Sequence, residues 1–413
     1  IVNNGTQTGF GRTGTVDWQT GSIKTGTFVP VNGEGYFVDT SSGVSTANLP
    51  AGVVGAIVSF KDYSQTFDTN ALTISANGSE KIEGQTFDLS LSTKGQATTL
   101  VYGDVTKGWQ SVNSNEVTNQ ELFVTASGGT ESTSGDYKIH TFTGPGTFTV
   151  NSVGTSAPNN VVDYMVIGGG GGSGGQGGQS SGGGGAGGYR ESAGTSTGSY
   201  SRSPLGACVS ALPVTATAFP ITVGAGGAGG SAGSDNNGNA GNPSVFSSIT
   251  SAAGGYGGGA GCAAAGGNGG SGGGGRNSGT GGTGNTPPTS PPQGQPGGDS
   301  DGHSGSGGGG ATGAGGDSNG PGGASGNGGV GATSSINGTP TQRSGGGAGG
   351  RSPTAGASGS NSGGGGPGVG PSGPPTTANA TANTGGGAGG VGSGPLAGGV
   401  GGSGIVIIRY KFQ

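Results

Sequence analysis

The stretch Val161-Val-Asp-Tyr-Met-Val-Ile-Gly-Gly-Gly-Gly171 separates two kinds of sequence in this chain. Its first seven residues are mostly apolar and β-prone, which is typical of a buried strand. The glycines that follow open a tract of very different composition. Residues 1–167 contain 22 glycines, so 112 − 22 = 90 lie from Gly168 onward. The two parts must fold by different physical means, and the step marks a domain boundary.

The composition excludes several classes of protein. Only 8% of the residues are charged and 27% are hydrophobic, against about 25% and about 45–50% in an ordinary globular chain. The net charge is −5 and no cluster of Lys and Arg occurs, so we expect no binding to nucleic acid. No run of about 18 apolar residues occurs, so we expect that the chain does not span a membrane.

The N-terminal part has the pattern of short β-strands. Alternating apolar and polar runs recur about every ten residues between Trp18 and Trp109, separated by Gly, Asn and Asp. The pair Asn32-Gly33 lies between two such runs and predicts a β-hairpin. We therefore predict an all-β sandwich or barrel over residues 1–112. A polar linker over 113–135 follows, with one short strand at Leu122-Phe-Val124.

Strand patterns also flank the glycine tract. Tyr137–Phe142 precedes a turn at Gly144-Pro-Gly146, after which the chain returns as Thr147-Phe-Thr-Val150. The segment Gly404-Ile-Val-Ile-Ile-Arg-Tyr410 is strongly β-prone and needs a partner, for which Val161–Ile167 is the obvious choice. This pairing predicts a β base over 136–167 and 404–413 that ties together the two ends of 168–403.

Three interpretations of residues 168–403 compete: a flexible linker, a collagen-like helix and a folded lattice. The glycines do not follow a strict Gly-X-Y repeat, which disfavours collagen. Apolar segments such as Phe219-Pro-Ile-Thr-Val223 and Ser244-Val-Phe-Ser-Ser248 have no use in a linker. A polyproline II helix makes no internal hydrogen bonds, so helices without Cβ atoms can approach and bond to one another. We therefore predict a polyproline II lattice, closed by the C-terminal strand, with essentially no α-helix.

Four distinctive segments follow one another along the C-terminal part of the chain. They are Tyr137-Lys-Ile-His-Thr-Phe-Thr-Gly-Pro-Gly-Thr-Phe148, Asp163-Tyr-Met-Val-Ile-Gly-Gly-Gly-Gly171, Ile221-Thr-Val-Gly-Ala-Gly-Gly227 and Gly402-Ser-Gly-Ile-Val-Ile-Ile-Arg-Tyr410. In this order they resemble the glycine-rich domain of phage tail-fibre and related surface proteins. The resemblance covers residues 136–413.

The N-terminal part contains the segments Val16-Asp-Trp-Gln-Thr-Gly-Ser-Ile-Lys24, Gly35-Tyr-Phe-Val-Asp-Thr40 and Gly108-Trp109. These segments resemble a β module of tail-fibre proteins from marine T-even-like phages. The whole is also similar to the distal adhesin of T-even-like fibres, from which it departs by carrying the β module. Its loops do not match that adhesin residue by residue, so no contact residue is transferred.

These resemblances imply a phage tail-fibre tip protein, located outside the cell on the virion. The implied partners are a receptor on the host surface, either an outer-membrane protein or a polysaccharide, and other tail-fibre subunits. They also imply a homotrimer. In the related adhesin, loops between stacked polyproline II helices touch the receptor, so we expect the loops of 168–403 to bind here.

Candidate receptor-binding residues are side chains that a glycine lattice does not need. Loops held by a rigid scaffold are favoured places for function, and Tyr and Arg are favoured binding anchors. Pro and His residues mark the same loops. The candidates are Tyr189, Arg190, Tyr200, Arg202, Leu205, Arg276, Asn277, Pro287, His303, Arg343, Arg351 and Pro371.

The sequence offers little that points to catalysis. Its two histidines, His140 and His303, lie in a strand pattern and in an acidic loop, and neither has a recognisable set of partner residues. No Lys occurs between Lys138 and Lys411, so a phosphate-binding loop is absent from the glycine tract. We predict a non-enzyme without cofactor or metal. Cys208 and Cys262 form either one disulfide or two buried thiols.

Two further functions stay open at this point. The same lattice could serve as mechanical material in a bacterial extracellular filament or surface layer. Alternatively, a flat polyproline II bundle could present small side chains to ice, although the irregular Pro- and Arg-containing loops disfavour a flat face.

Overall fold

The computed structural model of this chain divides into two compact units, Ile1–Gln120 and Glu121–Gln413. Among the described residues there is no α-helix, which confirms the predicted fold class, and Pro204–Gly206 forms a 3₁₀ turn. The structure describes residues 16–112, 123–154, 159–175, 179–194, 200–206, 209–233, 236–259, 261, 263–302, 304–319, 323–351, 362–371 and 378–412.

The N-terminal unit consists of two sheets. One has the strand order β1-β3-β5-β8-β9 and the other β2-β4-β6-β7, with strands bounded as follows. The strands are β1 (Asp17–Trp18), β2 (Thr27–Phe28), β3 (Glu34–Val38), β4 (Ser45–Asn48), β5 (Ile57–Asp62), β6 (Leu72–Ser75), β7 (Leu89–Leu91), β8 (Ala97–Asp104) and β9 (Gly108–Ser111).

The chain passes back and forth between these sheets, so that β1, β3 and β5 are parallel in one and β2, β4 and β6 are parallel in the other. The predicted hairpin at Asn32-Gly33 is therefore wrong, because β2 and β3 belong to different sheets. The Asn32 side chain accepts a hydrogen bond from the Ile57 N–H at 2.9 Å, and the Gly33 N–H donates to the Ile57 carbonyl at 2.7 Å. The turn is thus hydrogen-bonded to the first residue of β5, where the chain returns to the first sheet.

Side chains from both sheets share one core. Val38, Phe60 and Trp109 of the first sheet meet Leu72 and Leu91 of the second, and all five are fully buried. The period of two along each strand places these residues on the inner face. Apolar side chains are thus what hold this unit together.

The second unit contains two larger sheets and one isolated hairpin, β20–β21. The orders of the larger sheets are β10-β13-β17-β18-β19 and β11-β12-β22-β14-β15, with β16 paired to β14. The strands are β10 (Thr125–Ser127), β11 (Thr130–Ser134), β12 (Tyr137–Phe142), β13 (Gly146–Ser152), β14 (Val161–Ile167), β15 (Tyr189–Glu191), β16 (Leu212–Pro213), β17 (Ala218–Thr222), β18 (Ser244–Phe246), β19 (Ile249–Ser251), β20 (Ala332–Ser334), β21 (Thr341–Arg343) and β22 (Ile405–Lys411).

The predicted closure by the C-terminal strand is confirmed. β22 lies between β12 and β14 and runs antiparallel to both, with Ile405 opposite Ile167 and Arg409 opposite Asp163. The two ends of the glycine tract therefore meet in one sheet. β12 and β13 do not pair with each other but lie in different sheets, and segments within 212–251 extend the base beyond its predicted limits.

The prediction of a linker over 113–135 is wrong for its described C-terminal part. Residues 125–127 and 130–134 form β10 and β11, which pair with β13 and β12. β11 is the Thr- and Ser-rich edge of its sheet and is exposed along most of its length. A strand at the edge of a sheet does not need a buried face. The sequence of β11 therefore shows no alternation of apolar and polar residues by which the strand could be recognised.

Segment 181–188 shows how the glycine tract is bonded. Its successive N–H groups donate in rotation to three different neighbours, so that each neighbour is reached again at every third residue. Ser181, Gly184 and Gly187, for example, donate to the carbonyls of Val391, Ala388 and Gly385. The other two neighbours lie within 252–258 and 306–309. A repeat of three residues is that of polyproline II, whereas a strand repeats every two.

The carbonyl groups of segment 181–188 complete the pattern. They accept from N–H groups of three further segments, within 168–171, 271–274 and 347–350. Six neighbours therefore surround this one segment, which is the coordination of hexagonally packed rods. The core of the glycine tract is thus backbone bonded to backbone.

The lattice excludes side chains at its contacts. A Cβ built on Gly184 would lie 2.1 Å from the Gly171 carbonyl oxygen, and one on Gly187 would lie 2.0 Å from that of Gly168. Real Cβ atoms do not approach backbone oxygens so closely. Glycine is required here by close approach, as it is at the axis of collagen.

Candidate functional site

Three of the predicted loop residues are buried instead of displayed. Tyr189, Arg276 and Arg343 are each less than a tenth exposed, so the expectation that they project from loops is wrong. Tyr189 and Arg343 lie in strands β15 and β21, whose inner faces belong to the core. Their residue types favour binding anchors, but a long polar side chain can also serve to satisfy buried backbone groups.

Arg276 is an example of that structural use. Its guanidinium donates hydrogen bonds to the carbonyl oxygens of Ser180 and Gly302 and to the side-chain oxygen of Gln179. These acceptors come from two segments far apart in sequence. Because a guanidinium has five N–H donors in a fixed fork, one arginine can join several chain segments within the lattice. Arg276 therefore acts inside the scaffold.

Tyr189 and Arg343 lie beside a buried carboxylate, Glu191. The Tyr189 hydroxyl donates to Glu191 at 3.0 Å, and the hydroxyls of Ser203 and Ser334 donate to it as well. Burial raises the pKa of Glu191, while these hydrogen bonds act in the opposite direction. Burial also lowers the pKa of Arg343, against the attraction of Tyr189 and Glu191. The cluster ties segments near 203 and 334 to β15.

The neighbouring candidates range from half-buried to exposed. Arg190 is half-buried in β15, and Tyr200 and Leu205 pack partly against the apolar cluster that contains Tyr189. Arg202 is exposed, and its Nη1 donates to the Ala193 carbonyl at 2.6 Å.

The remaining candidates are scattered. Asn277 and Arg351 are half-buried, whereas Pro287 and Pro371 are exposed. The described candidates therefore differ in burial from fully buried to exposed, so they do not share one exposed surface. His303, and the two cysteines Cys208 and Cys262, lie outside the described residues.

The loop at 285–293, which contains Pro287, has a fixed internal framework. The Asn285 side-chain oxygen accepts hydrogen bonds from the Thr289 N–H at 3.0 Å, the Thr289 hydroxyl at 3.1 Å and the Gln293 N–H at 3.1 Å. Asn285 itself has a φ of 51°, which asparagine tolerates better than most residues. One side chain thus holds both ends of the loop.

Gln293 anchors this loop to the scaffold. Its side chain is 1% exposed, donates to the Pro287 carbonyl at 2.7 Å and accepts from the Ala252 N–H at 2.9 Å. Its carbonyl accepts from the Tyr189 N–H at 2.8 Å. Sequence reasoning missed Gln293 and Asn285, because a single amide residue in a Pro-rich loop gives no signal of its partners. The loop is therefore continuous with the lattice and with β15.

A groove of about 400 Å³ runs between this loop and the lattice. One wall is loop 285–293, and the others come from the end of β18–β19 and from segment 268–269. None of the lining side chains is ionisable, so the groove suits uncharged groups with apolar and hydroxyl or amide character. The lining residues are Pro243, Thr250, Ala252, Ala253, Asn268, Gly269, Thr286, Pro287, Thr289 and Gln293.

Other groups that bear on chemistry are placed as follows. His140 is fully buried, with Nδ1 2.6 Å from the Gly128 carbonyl and Nε2 3.0 Å from the Tyr410 hydroxyl. Burial lowers its pKa. Within the described ranges, no three His, Cys, Asp or Glu side chains come together as metal ligands would. The described part of the chain also has no helix with the length and apolarity needed to cross a membrane.

The backbone lattice and its flanking sheets can be compared with known families. A family model for a glycine-rich domain matches residues 143–411, well over half of the chain. The chain belongs to the glycine-rich domain family. No curated protein matches the chain. The matched region of this glycine-rich domain begins near the end of β12 and includes β22, so it takes in both ends of the closed excursion.

Proposed function

We propose that this protein is the receptor-binding adhesin of a phage tail-fibre tip, located outside the cell on the virion. Loop 285–293 and its groove carry the proposal. The loop is held by its own hydrogen bonds and by Gln293, so it presents Pro287 and Thr286 without an ordering cost on binding. The resemblance of the ordered segments from Tyr137 to Tyr410 supports the assignment to tail fibres.

The glycine lattice supports the groove, which favours its use as a binding site. The groove lies against segment 252–258, which is bonded directly to the central segment 181–188. Contacts made in the groove therefore act on a rigid body, as is typical of binding sites that are largely formed before the ligand arrives. The proposed partner is a receptor on the host surface. The resemblance also supports a homotrimer joined to other fibre subunits.

A groove-filling substitution tests the proposal. Thr250 is exposed on β19 and lines the groove, so Thr250→Trp fills it without changing the lattice. We expect binding of the purified full chain to susceptible host cells to fall at least about tenfold, since a blocked site loses the contacts of its centre. The measurement is a cell-binding isotherm with labelled protein.

Thr222→Trp is the matched control, because Thr222 is exposed on β17 and does not line the groove. It should bind cells as the unmodified chain does. Equal binding by Thr250→Trp would contradict the groove as receptor site. Absence of cell binding together with assembly into filaments would replace the adhesin with a structural protein.

A further inference from the structure

The N-terminal unit carries a row of aromatic side chains on the outer face of its first sheet. Tyr36 and Val38 of β3 point into the core, so Phe37 between them faces outward. The ring centroid of Phe37 lies 5.0 Å from that of Trp18 and 6.3 Å from that of Tyr63. Trp18 is 39% and Tyr63 is 56% exposed. We call Trp18, Phe37 and Tyr63 the aromatic row.

The absence of a side chain at Gly35 makes room for the Trp18 ring. Gly35 lies opposite Trp18 in the parallel pairing of β1 and β3. A Cβ at Gly35 would lie 2.8 Å from the Trp18 ring and 2.7 Å from a Val16 methyl group. The Trp18 ring therefore lies against the bare backbone of Gly35, while 39% of the residue stays exposed. Indole fixed in this way is a ready surface for stacking.

A charged acceptor lies at the Tyr63 end of the row. Asp39 follows Phe37 by two residues, on the same side of the chain. Its carboxylate accepts from the Ser41 N–H at 2.8 Å. Hydrogen bonds from the Ser41 N–H, the Ser41 hydroxyl and the Ser64 hydroxyl lower the pKa of Asp39. The row thus combines apolar faces with a fixed hydrogen-bond acceptor.

The size of the row favours a small ligand over a protein partner. An aromatic side chain presents about 150–250 Å², so the exposed parts of three rings sum to on the order of 200–300 Å². A stable protein interface needs about 800 Å² from each partner. A sugar ring, in contrast, offers a C–H face to an aromatic ring and hydroxyl donors to a carboxylate at its rim.

We propose that the aromatic row and Asp39 form a binding site for neutral hexose chains, separate from the groove of the glycine-rich domain. The C–H faces of consecutive sugar rings stack on Trp18 and Phe37, Tyr63 closes one end, and a sugar hydroxyl donates to Asp39. The site is independent of the receptor groove, because its residues all lie in the other unit. It would add carbohydrate binding to a protein whose proposed receptor site is the groove beside loop 285–293.

Trp18 itself provides the measurement. The chain has two tryptophans, and Trp109 is fully buried, so only Trp18 emission responds to a ligand at the surface. The full-length chain is titrated with maltohexaose, cellohexaose and mannohexaose. We expect a saturable blue shift of Trp18 emission with at least one of them. Tyr63→Ala should weaken that binding about tenfold, since it removes one ring of the site.

Phe87→Ala is the matched control, because Phe87 is 41% exposed in the same unit and lies outside the row. It should bind as the unmodified chain does, and unchanged Trp109 emission verifies folding in each variant. No spectral response to any hexaose, or equal affinity of Tyr63→Ala, overturns the proposal. A concentration-dependent oligomer that Trp18→Ala dissociates, with no effect of sugar, would make the row a contact between copies. Cell binding in the Thr250→Trp test does not depend on this result.

Discussion

In the N-terminal unit the interior is made of side chains, whereas in the glycine lattice it is made of backbone. Phe60 and Trp109 fill the space between two sheets, and their strands repeat every two residues. Segment 181–188 is surrounded by six other backbone segments and repeats its bonds every three residues. The first interior tolerates no loss of atoms, and the second tolerates no gain. The two regions therefore teach opposite rules about which substitutions are harmful.

The largest expected effect is in the centre of the lattice. Gly184→Ala places a methyl carbon 2.1 Å from the Gly171 carbonyl oxygen, and hydrogen bonds on all sides prevent the backbone from moving aside. We expect a loss of more than about 4 kcal/mol in the free energy of unfolding, in the exceptional range for one substitution. Hydrogen exchange of the glycine amides measures it.

Gly370→Ala is the control for that change, because a Cβ at Gly370 meets nothing within 4 Å. We expect its effect to stay within about 0.5 kcal/mol, as for an ordinary surface change. Equal tolerance at Gly184 would break the comparison, since the lattice would then accept side chains.

The reverse test removes atoms from the N-terminal unit. Leu72 is fully buried in its core, so Leu72→Ala should lower the free energy of unfolding of that unit by about 2–5 kcal/mol. Val53→Ala, at a residue that is 67% exposed, should change it by less than about 0.5 kcal/mol. Hydrogen exchange resolved by residue should show loss of protection within 16–112 and not in the glycine tract. Loss in both places would mean that the two interiors are not separate.

The smallest expected effect is a change in how the stability of the second unit depends on pH. Burial raises the pKa of Glu191, so folding favours its protonated form. The stability it contributes is fully present below the unfolded pKa of about 4.3 and is lost as pH rises through the folded pKa. We expect Glu191→Gln to flatten this decline in melting temperature between acid and neutral pH.

His140 has the opposite sign, because burial lowers its pKa and folding is weakened as pH falls below about 6.5. The difference between the variant and the unmodified chain therefore isolates Glu191. Asp136→Asn is the control, since Asp136 is an exposed acidic residue in the turn between β11 and β12. Identical pH profiles for Glu191→Gln and the unmodified chain would contradict a raised pKa of Glu191.

Much of the glycine-rich domain could be predicted from local sequence. The apolar segments Val161–Ile167 and Ile405–Tyr410 predict a pair of buried strands. The tract between them is polar, so each segment is the obvious partner of the other. The absence of a Gly-X-Y repeat disfavours collagen, and the apolar segments within the glycine tract disfavour a linker, so together they predict a lattice of packed backbones. These inferences depend on what a segment cannot do in isolation, so they required no knowledge of its neighbours.

The tertiary structure alone decided where the long polar side chains go. Tyr189, Arg276 and Arg343 have the residue types of binding anchors, but each lies inside. Segments distant in sequence bring the oxygen atoms that the Arg276 guanidinium binds, and they bring the Ser203 and Ser334 hydroxyls to Glu191 beside Tyr189. The Asn32-Gly33 turn likewise forms hydrogen bonds with Ile57 at the start of β5 instead of closing a hairpin. A residue type fixes which bonds are available to it, and only the path of the chain fixes which partner arrives.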